Sequence, residues 1–342
     1  MLHDRIDIGF MFSFRNPAQW RRPFADVYAD ELALIRHAEQ IGVDTIWLTE
    51  HHFADDGYSP SIVPLAAAIA ATTDRVRIGF NLLLLPLHDA VKVAEDIATV
   101  DVLSNGRLDP GFGQGYAPHE FAGFGIPREQ RLVRFIEGLK VMQGLWSEDA
   151  FSFDGRHYHV DGARLVPKPV QQPMPLWIGA TSRKGVRRAG RLGANLLGIA
   201  SRALQDEYEQ GRREAGLTME DARALQLHWV HVAESDDAAW DQAAAQFHHL
   251  LTVYSGWANA AAGPGEPKAP PPPPVAELRD PTGPLMFVPA IGSAETVAAV
   301  LNRGMGRVHT THLALGVLPG MAPDHTRASM DRFAAEVVPR LD

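Results

Sequence analysis

The chain has 342 residues, of which 46% are hydrophobic and 21% charged, with a formal net charge of -9 and no cysteine. This is globular composition, and it excludes disulfides, thiolate metal sites and a catalytic thiol. Scattered Lys and Arg in an acidic chain also argue against a nucleic-acid or anionic-membrane surface. The charged amino terminus lacks a signal peptide's apolar core, and no apolar stretch reaches about 18 residues, so we expect a cytoplasmic protein.

The first half of the chain alternates between stretches of strand and helix character. The predicted strands are residues 5–12, 45–49, 75–85 and 108–115. The predicted helices are residues 27–41, 61–71, 90–103 and 129–146. Pro118 is expected to prevent a helix directly after the fourth strand. Strands that alternate with helices predict a parallel sheet with helical crossovers.

The second half resumes this alternation after a predicted hairpin at residues 151–160. Its predicted strands are residues 175–180, 195–200, 225–233 and 307–315, and its predicted helices are residues 183–192, 203–215, 236–253, 294–301 and 327–341. Residues 255–290 contain five consecutive prolines, which predict an extended surface loop between strands seven and eight and a candidate lid. We therefore predict one α/β domain over residues 1–342, a (β/α)8 TIM barrel with insertions.

Three titratable residues, Glu50, His51 and His52, directly follow the second strand. They need water, a ligand or one another, and the carboxyl ends of barrel strands are where binding sites form. Neighbouring side chains on extended chain point to opposite faces, so we expect one imidazole to face the barrel mouth as a hydrogen-bond partner or general base. A His-rich surface turn is the alternative. No His-x-x-x-His pair supports a metal, so none is predicted.

Two glycine-containing stretches follow later strands. Gly111, Gly113 and Gly115 alternate at the end of strand four, which either lets a flat ring lie against the backbone or relieves a crowded barrel interior. The stretch GATSRKG, from Gly179 to Gly185, offers free N–H groups and hydroxyls at a helix start, where a phosphate fits. Capping of that helix by a Thr or Ser is the simpler alternative.

Other side chains are candidates on weaker grounds. Asn81 is a polar residue in an apolar strand and needs a partner if it is buried. Phe10, Phe12 and Phe53 suggest an apolar substrate pocket near strands one and two, although such residues also belong to ordinary cores.

Several motifs, in order, resemble the bacterial luciferase-like flavin-dependent monooxygenases. They are EHHF, LPLHDAVKVAED, SNGRLDPGFGQGY leading to EFAGFG, SFDGRHYH, VPKPVQQPMPLWIGATS and SMDRFAAEVVPRL. The resemblance spans almost the whole chain. It implies a TIM barrel that receives FMNH2 from a separate flavin reductase and, with O2, forms a C4a-hydroperoxyflavin that oxidises a small organic substrate. A homodimer is expected by the same analogy.

The resemblance also implies roles for individual residues. His51 matches the family's active-site histidine beside the flavin, and Asn81 and Leu82 fall where the family often has a non-prolyl cis peptide. Thr181 and Ser182 match its phosphate-binding pair. The implied cofactor-binding set is Glu50, Asn81, Leu82, Gly113, Gln114, Gly179, Ala180, Thr181 and Ser182.

The chain departs from luciferase at two positions. Gly113 replaces a reactive cysteine, and Gln114 replaces an arginine that contacts phosphate, so either Arg183 or Lys184 compensates or flavin binding is weaker. Two alternatives remain: hydride transfer with the deazaflavin F420, and a non-catalytic flavin-binding protein. The identity of the substrate is not specified by the sequence.

Overall fold

The computed structural model describes residues 6–198, 201–263, 265, 268–281 and 285–342. Its strands are β1 (Asp7–Phe12), β2 (Thr45–Leu48), β3 (Arg77–Phe80), β4 (Leu83–Leu84), β5 (Leu108–Asp109), β6 (Gly111–Gly113), β7 (Phe151–Asp154), β8 (His159–Ala163), β9 (Trp177–Gly179), β10 (Asn195–Leu197), β11 (Ala224–Val232), β12 (Pro289–Gly292) and β13 (His312–Gly316). Residue 5 of the first predicted strand and residues 199–200 of the sixth lie outside the described residues.

Helices separate most of these strands. They are α1 (Phe24–Gln40), α2 (Ile62–Thr72), α3 (Ala90–Leu103), α4 (Pro118–Gly123), α5 (Arg131–Ser147), α6 (Arg183–Arg191), α7 (Arg202–Glu214), α8 (Asp236–Ala261), α9 (Ala294–Met305) and α10 (Pro323–Arg332). The predicted helix at residues 90–103 has the same bounds in the structure. Asp89 caps it by accepting a hydrogen bond from the backbone N–H of Lys92.

The parallel strands close into a ring. One path runs β13-β1-β2-β3-β5 and the other β4-β6-β9-β10-β11-β13. The third predicted strand is divided into β3 and β4, and the fourth is divided into β5 and β6. The ring is continuous across these two strands, because β3 pairs with β5 and β4 pairs with β6. The predicted (β/α)8 TIM barrel is therefore confirmed. The chain also forms β12, which the sequence analysis did not predict and which pairs with the end of β11 beside β13.

The barrel interior is filled by indole rings. Trp47 and Trp177 are fully buried with ring centroids 5.4 Å apart. Gly9 and Gly79, on the strands either side of β2, make room for Trp47, because a Cβ at either position would lie within 2.6 Å of its ring. The interior is thus packed below the carboxyl ends of the strands, so a cavity at those ends has to lie above the indole rings.

Two features after β11 differ from the prediction. Helix α8 continues to Ala261, about two turns beyond the predicted end at residue 253, so its last turns occupy the first part of the proposed insertion. The irregular chain that follows lies between β11 and β12. In its described part, the Asn259 side chain bonds the backbone N and O of Ala269 at 2.7 and 3.1 Å, which ties the start of the proline-rich stretch to the helix.

Candidate active site

A cavity of about 470 Å³ opens at the carboxyl ends of the barrel strands. The residues that line it come from most of the strand ends and from α5 and α8. The lining includes His51 and every residue of the predicted cofactor-binding set: Glu50, Asn81, Leu82, Gly113, Gln114, Gly179, Ala180, Thr181 and Ser182. The fold therefore brings together residues that are up to 132 positions apart in the sequence (182 minus 50).

The two neighbouring imidazoles after β2 face different surroundings, as extended backbone requires. His51 lines the cavity. His52 is buried and donates from Nε2 to Glu50 Oε1 at 2.6 Å. One of the two histidines therefore faces the barrel mouth.

A buried carboxylate, Glu120, orients His51. Its Oε1 accepts hydrogen bonds from His51 Nδ1 at 2.8 Å and from the His52 backbone N–H at 2.9 Å. A carboxylate oxygen accepts this hydrogen bond when Nδ1 carries the hydrogen, and Nε2 is then the ring nitrogen left for other groups. Glu120 is completely buried, and its Oε2 has no hydrogen-bond partner within the described part of the chain.

Glu120 was not predicted from the sequence. It lies on the short helix α4, which begins at Pro118, so the prediction that this proline prevents a helix was wrong. Proline is tolerated in the first turn because its missing N–H would have no partner there. The EFAGFG motif contained the residue, but nothing local pairs it with a histidine 69 positions earlier.

Aromatic rings surround His51 on its other sides. The Trp257 ring lies 4.3 Å from the imidazole at an angle of 39°, and Tyr58 meets it edge-on at 4.8 Å. Tyr116 and Tyr254 both lie 6.0 Å away. Tyr254 and Trp257 belong to the unpredicted end of α8. The surroundings of His51 are therefore apolar and exclude much of the bulk water.

Leu82 forms part of the cavity wall, and two glycines make room for it. A Cβ on Gly113 would lie 2.5 Å from the Leu82 side chain, and one on Gly179 would lie 2.1 Å from it. A Cβ on Gly111 would lie 2.0 Å from the Phe80 carbonyl oxygen, so this glycine relieves crowding. Crowding therefore accounts for Gly111 and Gly113, and contact of a flat ring with this backbone stays a prediction. The Asn81–Leu82 peptide bond is cis, as the resemblance implied.

The start of α6 forms one side of the cavity. Ser182 caps the helix by accepting a hydrogen bond from the Gly185 N–H at 3.1 Å, so the simpler capping role is present. Thr181 and Ser182, at the positive end of the helix dipole, nevertheless line the cavity, as does Gln114.

The cation on the cavity lining is Arg131, which the sequence analysis did not single out. It is the first residue of α5, and its guanidinium donates to the Arg128 carbonyl at 3.1 Å. Arg183 instead has a side chain that is 71% exposed and pairs with Glu207, and neither it nor Lys184 is among the described lining residues. Neither Arg183 nor Lys184 thus lines the cavity in this structure, and the expectation that one of them compensates for Gln114, or that flavin binding is weaker, stays a prediction.

A second imidazole–carboxylate cluster lies beside the cavity. Glu50 Oε1 accepts hydrogen bonds from His52 Nε2 at 2.6 Å and from His88 Nε2 at 2.7 Å. Burial alone would raise the pKa of Glu50, but these two hydrogen bonds outweigh it and hold the pKa below its usual value. Burial likewise opposes the charged form of His88, yet the Glu50 bond and charge raise the pKa of His88 above its usual value. Glu50 therefore remains a carboxylate at neutral pH.

The three phenylalanines proposed for a substrate pocket lie elsewhere. Phe10 and Phe12 are buried among side chains between the sheet and the helices, where Phe10 contacts Phe333 edge-on at 5.7 Å. Met11, between them, faces the barrel interior and lines the cavity. Phe53 is 60% exposed, and none of the three is among the described residues that line the cavity. The pocket expected from these residues must be corrected, because strand alternation turns Phe10 and Phe12 outward.

Known proteins resemble this chain in sequence. The family model described as luciferase-like monooxygenase matches residues 6–307. An uncharacterized protein of Sinorhizobium fredii, y4wF, is 31% identical over 71% of this chain and 73% of its own length. An F420-dependent glucose-6-phosphate dehydrogenase of Amycolatopsis mediterranei is 30% identical over 54% of this chain, and the match covers only 59% of that enzyme.

Solved structures with two different cofactors share the fold. The oxygenating constituent of 3,6-diketocamphane monooxygenase from Pseudomonas putida, in complex with FMN, has a TM-score of 0.81 and 19% identity, covering 98% of this chain and 99% of that one. An F420-dependent secondary alcohol dehydrogenase has a TM-score of 0.77 and 23% identity, covering 99% of each chain.

Along the described residues, no helix is long and apolar enough to cross a membrane.

Proposed function

Because the chain belongs to the luciferase-like monooxygenase family, a family of oxidoreductases, we propose that it binds reduced FMN in the cavity and uses it with O2 to oxidise a small apolar organic substrate. The observation that carries this proposal is the composition of the cavity. It combines a cation and a helix start, suited to a phosphate, with a carboxylate-oriented histidine among aromatic rings.

The residues on the lining fit a flavin mononucleotide. Arg131 and the N-terminal end of α6 would hold the phosphate, since charge and free N–H groups together favour an anion. Leu82, seated against Gly113 and Gly179, would support the ring system. A cavity of about 470 Å³ is also within the range of cofactor sites.

His51 would supply the proton chemistry. Bound reduced flavin provides electrons to O2, and the protein must exclude water and handle protons beside it. With Nδ1 fixed by Glu120, Nε2 of His51 can accept a hydrogen bond or a proton from a group in the cavity. Trp257 and Tyr58, packed on the same imidazole, keep it from rotating and from bulk solvent.

Two partners belong to this proposal. A separate flavin reductase would deliver FMNH2 by diffusion, and two copies of the chain would form a homodimer. A coupled assay with a general flavin reductase would test the first partner. Measurement of the molecular mass in solution would test the homodimer independently.

The decisive experiment is an anaerobic titration with FMNH2 followed by a pulse of oxygen. We expect FMNH2 to bind more tightly than FMN, and oxidised flavin to appear after a lag that free FMNH2 does not show. His51→Ala should keep flavin affinity but shorten the lag and release hydrogen peroxide. His159→Ala, which removes an exposed histidine paired with Asp154, is the matched control.

The outcomes separate this proposal from its rivals. Tight binding of oxidised FMN without turnover would support a non-catalytic flavin-binding protein. Coenzyme F420 is the second candidate cofactor, because both sequence relatives and solved structures include F420-dependent dehydrogenases. If the chain binds F420 in preference to FMN and consumes no oxygen, the monooxygenase proposal is wrong, and hydride transfer takes its place.

A further inference from the structure

Three potential ligand atoms converge at the wall of the cavity. His52 Nε2, His88 Nε2 and a Glu50 carboxylate oxygen all lie within 4.8 Å of one another. We propose that Glu50, His52 and His88 form a binding site for one divalent transition-metal ion. The site is separate from His51 and does not depend on the proposed flavin chemistry.

The geometry is close to that of a three-ligand metal site. In a tetrahedral site with bonds of about 2.0–2.1 Å, ligand atoms are separated by roughly 3.3 Å. Here the two nitrogens lie 2.6 and 2.7 Å from the same carboxylate oxygen. The two imidazoles would therefore have to withdraw by roughly 0.6–0.7 Å, which small rotations about their side-chain bonds supply.

Metal binding also needs the other tautomer of both imidazoles. In the hydrogen-bonded form Nε2 carries the hydrogen, whereas a metal-bound Nε2 requires the hydrogen on Nδ1. Two histidines with one carboxylate, and a fourth position left to water, are a ligand set that proteins use for zinc.

Charge favours a cation at this place. The Glu50 side chain is only 1% exposed, so its carboxylate has little contact with water and gains from a cation beside it. Asp96 adds a further negative charge near His88. The His88 side chain is 27% exposed, which gives an ion a route from solvent. Imidazole ligands select Zn²⁺, Co²⁺ or Ni²⁺ over Mg²⁺ and Ca²⁺, which prefer oxygen.

The test is titration of chelator-treated protein with Zn²⁺ by calorimetry and with Co²⁺ by visible absorbance. We expect one ion per chain, an absorbance spectrum that indicates mixed nitrogen and oxygen ligands, and no binding of Mg²⁺ at the same concentration. Loss of a residue that hydrogen-bonds to a metal ligand typically weakens metal binding by about 10- to 100-fold. Loss of a ligand itself, in His88→Gln or His52→Gln, should therefore weaken metal binding at least about 100-fold.

Two controls keep the result interpretable. His159→Gln removes an exposed histidine that pairs with Asp154, and it should bind the ion as the unchanged protein does. Circular dichroism checks that each variant is folded, and His88→Gln is the safer variant because its side chain is partly exposed. No binding by the folded protein, or unchanged binding by folded His88→Gln, would refute the metal site and leave a hydrogen-bonded cluster. Neither result alters the test of flavin binding.

Discussion

Replacement of Arg131 by Ala should weaken FMN binding through the phosphate alone. Arg131 is the cation on the described cavity lining, at the start of α5, and its guanidinium is held by the Arg128 carbonyl. A hydrogen bond between charged groups contributes about 1.5–3 kcal/mol, and about 1.4 kcal/mol corresponds to a factor of ten. We therefore expect a loss of FMN affinity of roughly 10- to 150-fold.

Riboflavin, which lacks the phosphate, provides the internal comparison. The unchanged protein and Arg131→Ala are each titrated with FMN and with riboflavin, and binding is followed by flavin fluorescence. Comparing the four affinities isolates the contribution of the phosphate to the binding free energy. Riboflavin affinity should change less than about twofold, because the ring keeps its contacts. Arg183→Ala is the matched control, since that side chain is 71% exposed and pairs with Glu207. Equal weakening of both ligands, or a larger effect in Arg183→Ala, would refute the assignment.

Three further predictions concern proton handling and stability. Glu120→Gln replaces a charged hydrogen bond to His51 by a neutral one, a loss of about 1–2 kcal/mol, so the lag before oxidised flavin appears should shorten roughly 5- to 30-fold with flavin affinity unchanged. Burial raises the pKa of Asp7 from 3.8 to about 7, so between these two pH values the folded state holds a proton that the unfolded state has released. This contribution to the free energy of unfolding therefore declines from pH 3.8 to about 7 and is lost above 7. Urea unfolding of Asp7→Asn between pH 5 and pH 8 should show a flatter decline, and an equally steep one would contradict this reading. Gly111→Ala should destabilise by about 3 kcal/mol or more because its Cβ would meet a carbonyl oxygen at 2.0 Å, whereas Gly256→Ala, in open space on α8, should stabilise by about 0.5–1 kcal/mol.

The strand-end part of the cavity could be predicted because it is local in sequence. Glu50, His51 and Thr181 follow directly after strands, and the carboxyl ends of parallel strands meet at one edge of a barrel. The interruption between β3 and β4 had one local signal, the polar Asn81, but the apolar residues on either side of it favoured one continuous strand.

The rest of the site depends on contacts between distant elements. Glu120, Arg131 and His88 reach the cavity region from α4, α5 and the turn before α3, and no spacing in the sequence relates them to the residues they meet. Tyr254 and Trp257 were missed because helix α8 runs past its predicted end, where Gly256 weakens the helical pattern.

The face of β1 was ambiguous for a different reason. Met11 is flanked by Phe10 and Phe12, so both faces of the strand are apolar and alternation alone does not identify the inner one. The glycines provide a usable signal, because Gly9 and Gly79 mark the face that Trp47 fills. Met11 lies two positions after Gly9 and so shares its face. The glycine signal therefore places Met11 on the inner face and the two phenylalanines on the outer face.

The indole packing of the barrel interior divides the molecule into two parts with different freedom to change. Trp47 and Trp177 touch neighbours on every side, so a substitution among them disturbs the whole ring. Side chains above them that project into the cavity from strand ends and helix starts, such as Thr181, can be exchanged with less effect on what lies beneath. Descendants of this chain could therefore acquire a new cofactor or substrate by altering the mouth alone, while inheriting the same scaffold.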